Sequence, residues 1–129
     1  LMGHFDVVPV QPGTEARWTR PPFSGDTAGG MLWGRGALDD KLTVVSILEA
    51  VEALLAAGHR PGRTVLLAFG DDEEGGGDAN GAAAIARLVA SRGARPALVV
   101  DEGGVLMTGA VPGVSAPVAL VGIAEKGYV

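Results

Sequence analysis

Cysteine is absent from this sequence. No disulfide can staple the chain, and no thiolate can hold a metal. Long apolar runs are missing too: the longest are broken by Glu, Gly or Arg, and none approaches the roughly 18 residues of a membrane span. Positive charge is in deficit, with 10 Lys and Arg against 15 Asp and Glu and a formal net charge of −5. That balance argues against nucleic acid as a partner, because phosphate binding needs clustered cations. What remains is a chain of 129 residues, 47% of them hydrophobic. This is one domain's length and enough apolar material for a folded core.

The ends set a further expectation. The chain opens at Leu1 directly into "MGHFDVVPV", without a signal peptide or lead-in helix, and stops inside the strand-like pattern "VALVGIAEKGYV". Residues 1–129 are therefore expected to be an internal fragment of a longer catalytic domain. A cytoplasmic location is the accompanying expectation.

Between the ends, apolar strands and amphipathic helices alternate. "HFDVVPV" (His4–Val10) has strand composition, with Pro9 marking its edge. Residues 10–29 are rich in Gly and Pro without a sustained period, which predicts a long ordered loop of the kind that usually serves function. "MLWGRGALDD" adds a short strand and a Gly-punctuated turn. Next, "KLTVVSILEAVEALLAAG" places Val44, Ile47, Leu48, Val51, Leu54 and Leu55 on one helical stripe. Gly58 supplies the stop. "RTVLLAF" and "PALVVDEGG" read as buried strands, and "AAAIARLVASRG" between them as a second amphipathic helix. The order predicts an α/β fold: a mixed, mostly parallel sheet with flanking helices.

In such sheets ligands bind beyond the carboxyl ends of the strands. The acids of this chain gather at such points: Asp71–Glu74 after one strand, Asp101 and Glu102 after another, and Asp39 and Asp40 where the first helix opens. His4 and Asp6, two apart in the first predicted strand, point to one face. A metal-binding imidazole commonly donates its second ring N–H to a carboxylate, a role open to Asp6. Two carboxylates about 5 Å apart repel by roughly 3 kcal/mol at an effective dielectric near 20. Gathering Asp39, Glu74 and Glu102 therefore calls for a counter-charge or for protonation. Lys41 and Arg35 are the cations near in sequence, and both are expected to face solvent. A divalent cation answers better, and an oxygen-plus-imidazole donor set suits zinc, with cobalt or manganese as alternatives.

Five ordered motifs, "GHFDVVPV", "W-x-x-PPFSG" from Trp18, "LWGRGALDDK", "FGDDEEGGG" and "VVDEGG", run through nearly the whole chain. Together they resemble the two-zinc metallopeptidases of the aminoacylase, glutamate carboxypeptidase and carboxypeptidase S family, nearest the carboxypeptidase S branch. The resemblance implies a zinc exopeptidase-like fold and a role for each matching residue. His4 is similar to a ligand of one zinc, with Asp6 as its supporting acid. Asp39 matches the carboxylate that bridges two metals, Glu73 the general base, and Glu74 a zinc ligand. Glu102 matches a ligand of the metal held by His4, with Asp101 as its competitor. A cis peptide between Asp39 and Asp40 belongs to the same pattern. A lid and dimerisation domain, and a further zinc-binding histidine, would lie outside this chain. The resemblance thus carries the expectation of a homodimer formed through that missing domain.

The implied reaction is hydrolysis of a peptide or N-acyl amino acid, with two Zn2+ ions acidifying a shared water and Glu73 moving its proton. No nucleic acid or membrane partner is expected, and the fragment alone is expected to be inactive. Competing readings accompany each feature. Asp39 and Asp40 also suit the N-terminus of a helix without any metal. Asp71 and Asp72 read as solvated loop acids, His59 as a surface residue, and Trp18 and Phe23 as packing for the long loop. For the protein as a whole, the alternative is a catalytically inactive metal-binding or interaction module. A magnesium phosphohydrolase is the more distant alternative, opposed by His4 and by the lack of a phosphate-cradling loop.

Overall fold

Strand β1 (Met2–His4) and strand β4 (Ala68–Gly70) lie parallel, with Met2 opposite Ala68 and His4 opposite Gly70. They form the scaffold of the site in a computed structural model that describes residues 1–75, 81–103 and 106–119. The ladder reaches beyond the strands proper. The Leu1 carbonyl accepts the Ala68 N–H at 3.0 Å, and the Phe5 N–H donates to the Gly70 carbonyl at 2.8 Å. On the other side of β1, the Met2 N–H donates to the Val100 carbonyl at 2.8 Å. The segment that ends in Asp101 and Glu102 is thereby brought alongside the same strand.

Helix α1 (Lys41–Ala56) packs on β1. Val44 is its one fully buried apolar residue and sits against Gly3. A Cβ at Gly3 would lie 3.2 Å from Val44 Cγ2 and 2.8 Å from Asp40 Oδ2, so the missing side chain sets how closely α1 approaches the strand. The helix ends where the sequence predicts. Gly58 adopts a left-handed φ of 78°, its N–H donates to Leu55 and the His59 N–H donates to Leu54, closing the last turn. Helix α2 (Gly81–Ser91) finishes with the same pair of bonds, from Gly93 to Ala90 and from Ala94 to Val89.

The α/β class holds, with α1 crossing between the parallel strands β1 and β4; the described strands form three separate two-stranded sheets, one parallel and two antiparallel. Three expectations are corrected. The first strand ends at His4 instead of running to Val10, because its partner β4 ends at Gly70 and offers no further ladder beyond Phe5. The predicted loop of residues 10–29 contains a short 3-10 turn (Glu15–Arg17) and a strand, β2 (Asp26–Ala28), paired with β3 (Met31–Trp33). Gly29 and Gly30, with φ of 61° and 75°, make the two-residue turn between them, and that Gly-Gly pair was the hairpin signal. Finally, the apolar runs predicted as buried strands are open. Val65 is 50% exposed and Leu98 78%, and no strand is assigned over residues 63–67 or 97–100. On the α1 stripe, Ile47 and Val51 are half-buried, whereas Leu48, Leu54 and Leu55 are exposed. Among the described residues nothing covers these faces. A last short pair, β5 (Leu106–Met107) with β6 (Val118–Ala119), is antiparallel. The rest of the strand-like pattern at 120–129 lies outside the described residues.

Candidate metal centre

The site forms where β1 and β4 end. His4, the last residue of β1, is 1% exposed. Its ring is held from both nitrogens. Nδ1 lies 3.1 Å from the Asp6 carbonyl oxygen and 3.2 Å from Asp6 Oδ1, and Nε2 lies 3.1 Å from Asp39 Oδ1. Oxygens face both ring nitrogens, an arrangement that suits a ring donating from each side; a cation taking the place of the Nε2 proton would leave Nδ1 as the donor to Asp6. Asp6 lies beyond the end of the strand, and its carboxylate still reaches the ring. Its other oxygen, Oδ2, accepts the Glu74 N–H at 2.6 Å. Asp6 therefore ties the loop after β4 to the ring of His4.

Asp39 and Asp40 are joined by a cis peptide, as the resemblance implies. Their side chains part company. Asp39 is 60% exposed at its side chain and faces His4, while Asp40 is buried and its Oδ2 accepts the His4 backbone N–H at 3.1 Å. Asp40 occupies the position that opens α1, but its side chain makes no capping bond; its backbone carbonyl takes the Thr43 and Val44 N–H groups. The helix-capping reading of these two acids is thus replaced by one in which Asp40 anchors the strand end.

His4, Asp39 and Glu102 each offer a ligand atom, and these atoms lie within 4.8 Å of one another. Asp101 is outside this group. Its Oδ1 accepts the N–H of Glu102, a local turn that leaves the Glu102 carboxylate to enter the cluster. Glu74 lies near enough to Asp39 for the two carboxylates to act on each other. Glu73 is exposed, and its charge is felt by both His4 and Glu102. Asp72, read from sequence as a solvated acid, instead accepts the Gly81 N–H on both carboxylate oxygens, at 2.8 and 3.1 Å, at the start of α2.

Electrostatics follow from the crowding. Burial, then Asp39, push the Glu74 carboxyl above its usual range, and burial, then Asp40, Glu73 and Asp39, do the same for Glu102. For His4, burial opposes the charged ring but is outweighed by Glu73, Asp39 and Asp6, so its pKa is raised. Burial also opposes the Asp6 carboxylate, yet the Glu74 and Glu73 N–H groups and His4 hold it below its usual range. Among the described residues, no Lys or Arg relieves Glu74 or Glu102. Lys41 Nζ donates to the Phe5 carbonyl at 2.6 Å, and the Arg35 guanidinium, predicted to face solvent, lies over the Trp18 ring at 5.0 Å. An imidazole nitrogen and several carboxylate oxygens short of positive charge form a donor set that fits a hard or borderline divalent cation.

Sequence reading missed three supports of this arrangement: Asp40, Lys41 and Gly3. All three act through the backbone of residues 3–5, a long-range role with no local pattern. The "DDK" string carried the first two but fitted a helix start equally well.

Parallel strands that deliver a histidine and carboxylates to one end, with a helix packed behind, define an α/β domain with a candidate metal centre. The chain belongs to Peptidase family M20/M25/M40, whose model matches residues 1–121. It is 46% identical over 129 residues to N-fatty-acyl-amino acid synthase/hydrolase PM20D1 of Xenopus tropicalis, a match covering 100% of this chain and 24% of that protein. The Homo sapiens protein of the same name is 44% identical over 127 residues, covering 98% of this chain and 24% of its own length. Probable carboxypeptidase S-like 2 of Dictyostelium discoideum is 46% identical over 131 residues, covering 100% and 25%. The chain thus spans about a quarter of the length of these relatives.

Proposed function

We propose that this chain carries most of the metal centre of a zinc-dependent hydrolase that cleaves peptide or N-acyl amino acid amide bonds. The observation that carries the proposal is the convergence of ligand atoms of His4, Asp39 and Glu102 within 4.8 Å, in a site where Glu74 and Glu102 are relieved by no Lys or Arg among the described residues. Family membership and the printed names of the relatives, a carboxypeptidase-like protein and fatty-acyl-amino acid hydrolases, support the substrate class. In this reading His4, Asp39 and Glu102 would hold one zinc, and Asp39 and Glu74 would contribute to a second. The last ligand, the lid and any dimer contact are contributed by segments outside this chain, and further segments cover the open apolar faces of Val65, Leu98 and Leu55.

Zinc bound there supplies Lewis acidity that polarises a carbonyl and makes water easier to deprotonate. The protein's own groups do the rest. Asp6 fixes the His4 ring so that Nε2 is the free nitrogen. Glu73, exposed and beside the cluster, takes the proton of the attacking water and returns it to the leaving amine. Neighbouring Glu74 is committed to the cation, so the pair splits into one ligand and one proton carrier.

The test uses the full-length protein. Glu73→Gln is expected to keep its zinc, measured by elemental analysis, and to lose turnover on an N-acyl amino acid and a small peptide. Equal activity before and after the change would reject the mechanism. Bound zinc with no hydrolysis by the unaltered protein on either substrate class would favour the inactive metal-binding module instead.

A further inference from the structure

Away from the acids, the long loop and the β2–β3 hairpin enclose a second feature of opposite charge. An open cavity of about 610 Å3 is lined by Arg17, Trp18, Arg20, Trp33 and Arg35, among other residues, and its lining contains no acid. That volume is in the range of small-molecule sites. Three of the ten cations of a chain with net charge −5 are gathered here, together with both of its tryptophans.

The arginines are poorly used inside the protein. Arg35 stacks over Trp18 at 5.0 Å, and its Nε is buried without a hydrogen-bond partner. Arg20 meets Asp26 only at 3.7 Å across an exposed pair, which is worth little to stability. Arg17 makes no ion pair among the described residues. Like charges left together with one long, exposed ion pair among them are the positive counterpart of the acid cluster, and they call for an anion. Guanidinium forks match the planar oxygens of carboxylate and phosphate groups. Trp33 is orientated by its own bond, the indole N–H donating to the Ala28 carbonyl at 3.2 Å, which leaves ring surface for a flat apolar group.

We propose that this cavity binds a small organic anion, an oxyanion group held by Arg17, Arg20 and Arg35 with a flat or apolar body against Trp18 and Trp33. None of the lining residues belongs to the His4–Asp39–Glu102 group, so the proposal does not depend on the hydrolase reading. The cavity nevertheless shares loops with that group: Val8 follows His4 and Asp6, and Arg35 precedes Asp39.

The test is calorimetric titration of the full-length protein with benzoate, phenyl phosphate and inorganic phosphate, with benzylamine as the charge-reversed control. Each titration is run with zinc and after chelation, and tryptophan fluorescence is followed in parallel. Benzoate and phenyl phosphate are compared to tell whether the site prefers carboxylate or phosphate. Expected results are binding of both aryl anions, weaker binding of inorganic phosphate, none of benzylamine, and no loss on chelation. Arg17→Gln with Arg20→Gln, at exposed side chains that the fold does not need, is expected to weaken the aryl anions by about tenfold or more. Arg35→Gln removes the stacked cation and should do the same. Binding that disappears on chelation, that benzylamine matches, or that survives the double substitution unchanged would overturn the proposal. Equal affinity for phenyl phosphate and inorganic phosphate would remove the aromatic half of it.

Discussion

Asp40 Oδ2 reaches across 36 positions of sequence to accept the backbone N–H of His4 at 3.1 Å, both groups being buried. This bond fixes the end of β1 to the start of α1, and so sets the distance between His4 and Asp39. Replacing Asp40 with Ala would leave a buried N–H without an acceptor, a loss of about 1–3 kcal/mol. Asp40→Asn retains a carbonyl oxygen of the same reach and should cost less. Chemical denaturation of the metal-free full-length protein measures both, and equal stability of the Ala variant and the parent would count against the anchoring role.

Gly3 gives a second check on the same joint. An added methyl group would meet Asp40 Oδ2 at 2.8 Å and Val44 Cγ2 at 3.2 Å. Neither neighbour can retreat freely, because one is bonded to His4 and the other lies on the helix face against the strand. Gly3→Ala is expected to destabilise by about 1–3 kcal/mol through overpacking, and to weaken zinc binding by moving Asp39 away from His4. A variant with unchanged melting and metal affinity would show that α1 is free to shift.

These two supports also mark where sequence reading stops. Gly58 was legible because a helix stop is local: a residue without Cβ follows the last apolar position and both closing bonds lie within five residues. The His4–Asp6 contact was legible for a different reason, since two residues of spacing keep the groups near each other even though the strand ends at His4. Asp40 was not, because its partner is 36 residues away and its position already had a sufficient local explanation. The apolar runs at Val65–Leu67 and Leu98–Val100 show the converse. Their composition signals a covered strand, but coverage depends on what packs against them, and this chain spans a quarter of its relatives.

Asp6 divides its carboxylate between the Glu74 N–H and the His4 ring. In Asp6→Asn one oxygen becomes an amide donor. Turned toward Glu74 it would oppose another N–H; turned toward His4 it would favour the tautomer that puts the proton on Nε2, the nitrogen needed for the cation. Zinc affinity of the full-length protein should fall by about 10–100-fold, as measured by competition with a chelating dye. Affinity equal to that of the parent would mean that the Asp6 carbonyl alone orients the ring.

The last prediction concerns pH. Glu74 and Glu102 have pKa values raised above 4.5 and His4 above 6.5, whereas Asp6 is lowered from 3.8. A group raised by folding contributes stability that is complete below its unfolded pKa and is lost as pH rises through its folded pKa. The two glutamates and His4 thus make the metal-free protein less stable as pH climbs from the carboxylate range through the raised range of His4. Asp6 acts oppositely, its contribution being lost only as pH falls through its lowered value. Zinc reverses the main trend, since the ligands must shed their protons to bind it and the stabilisation it gives increases with pH. The gap in melting temperature between zinc-loaded and chelated full-length protein should therefore widen from about pH 5 to about pH 8 in low salt, where screening of the half-buried Glu74 is least. A gap that stays constant or narrows over that range would mean that these acids and His4 do not hold the cation.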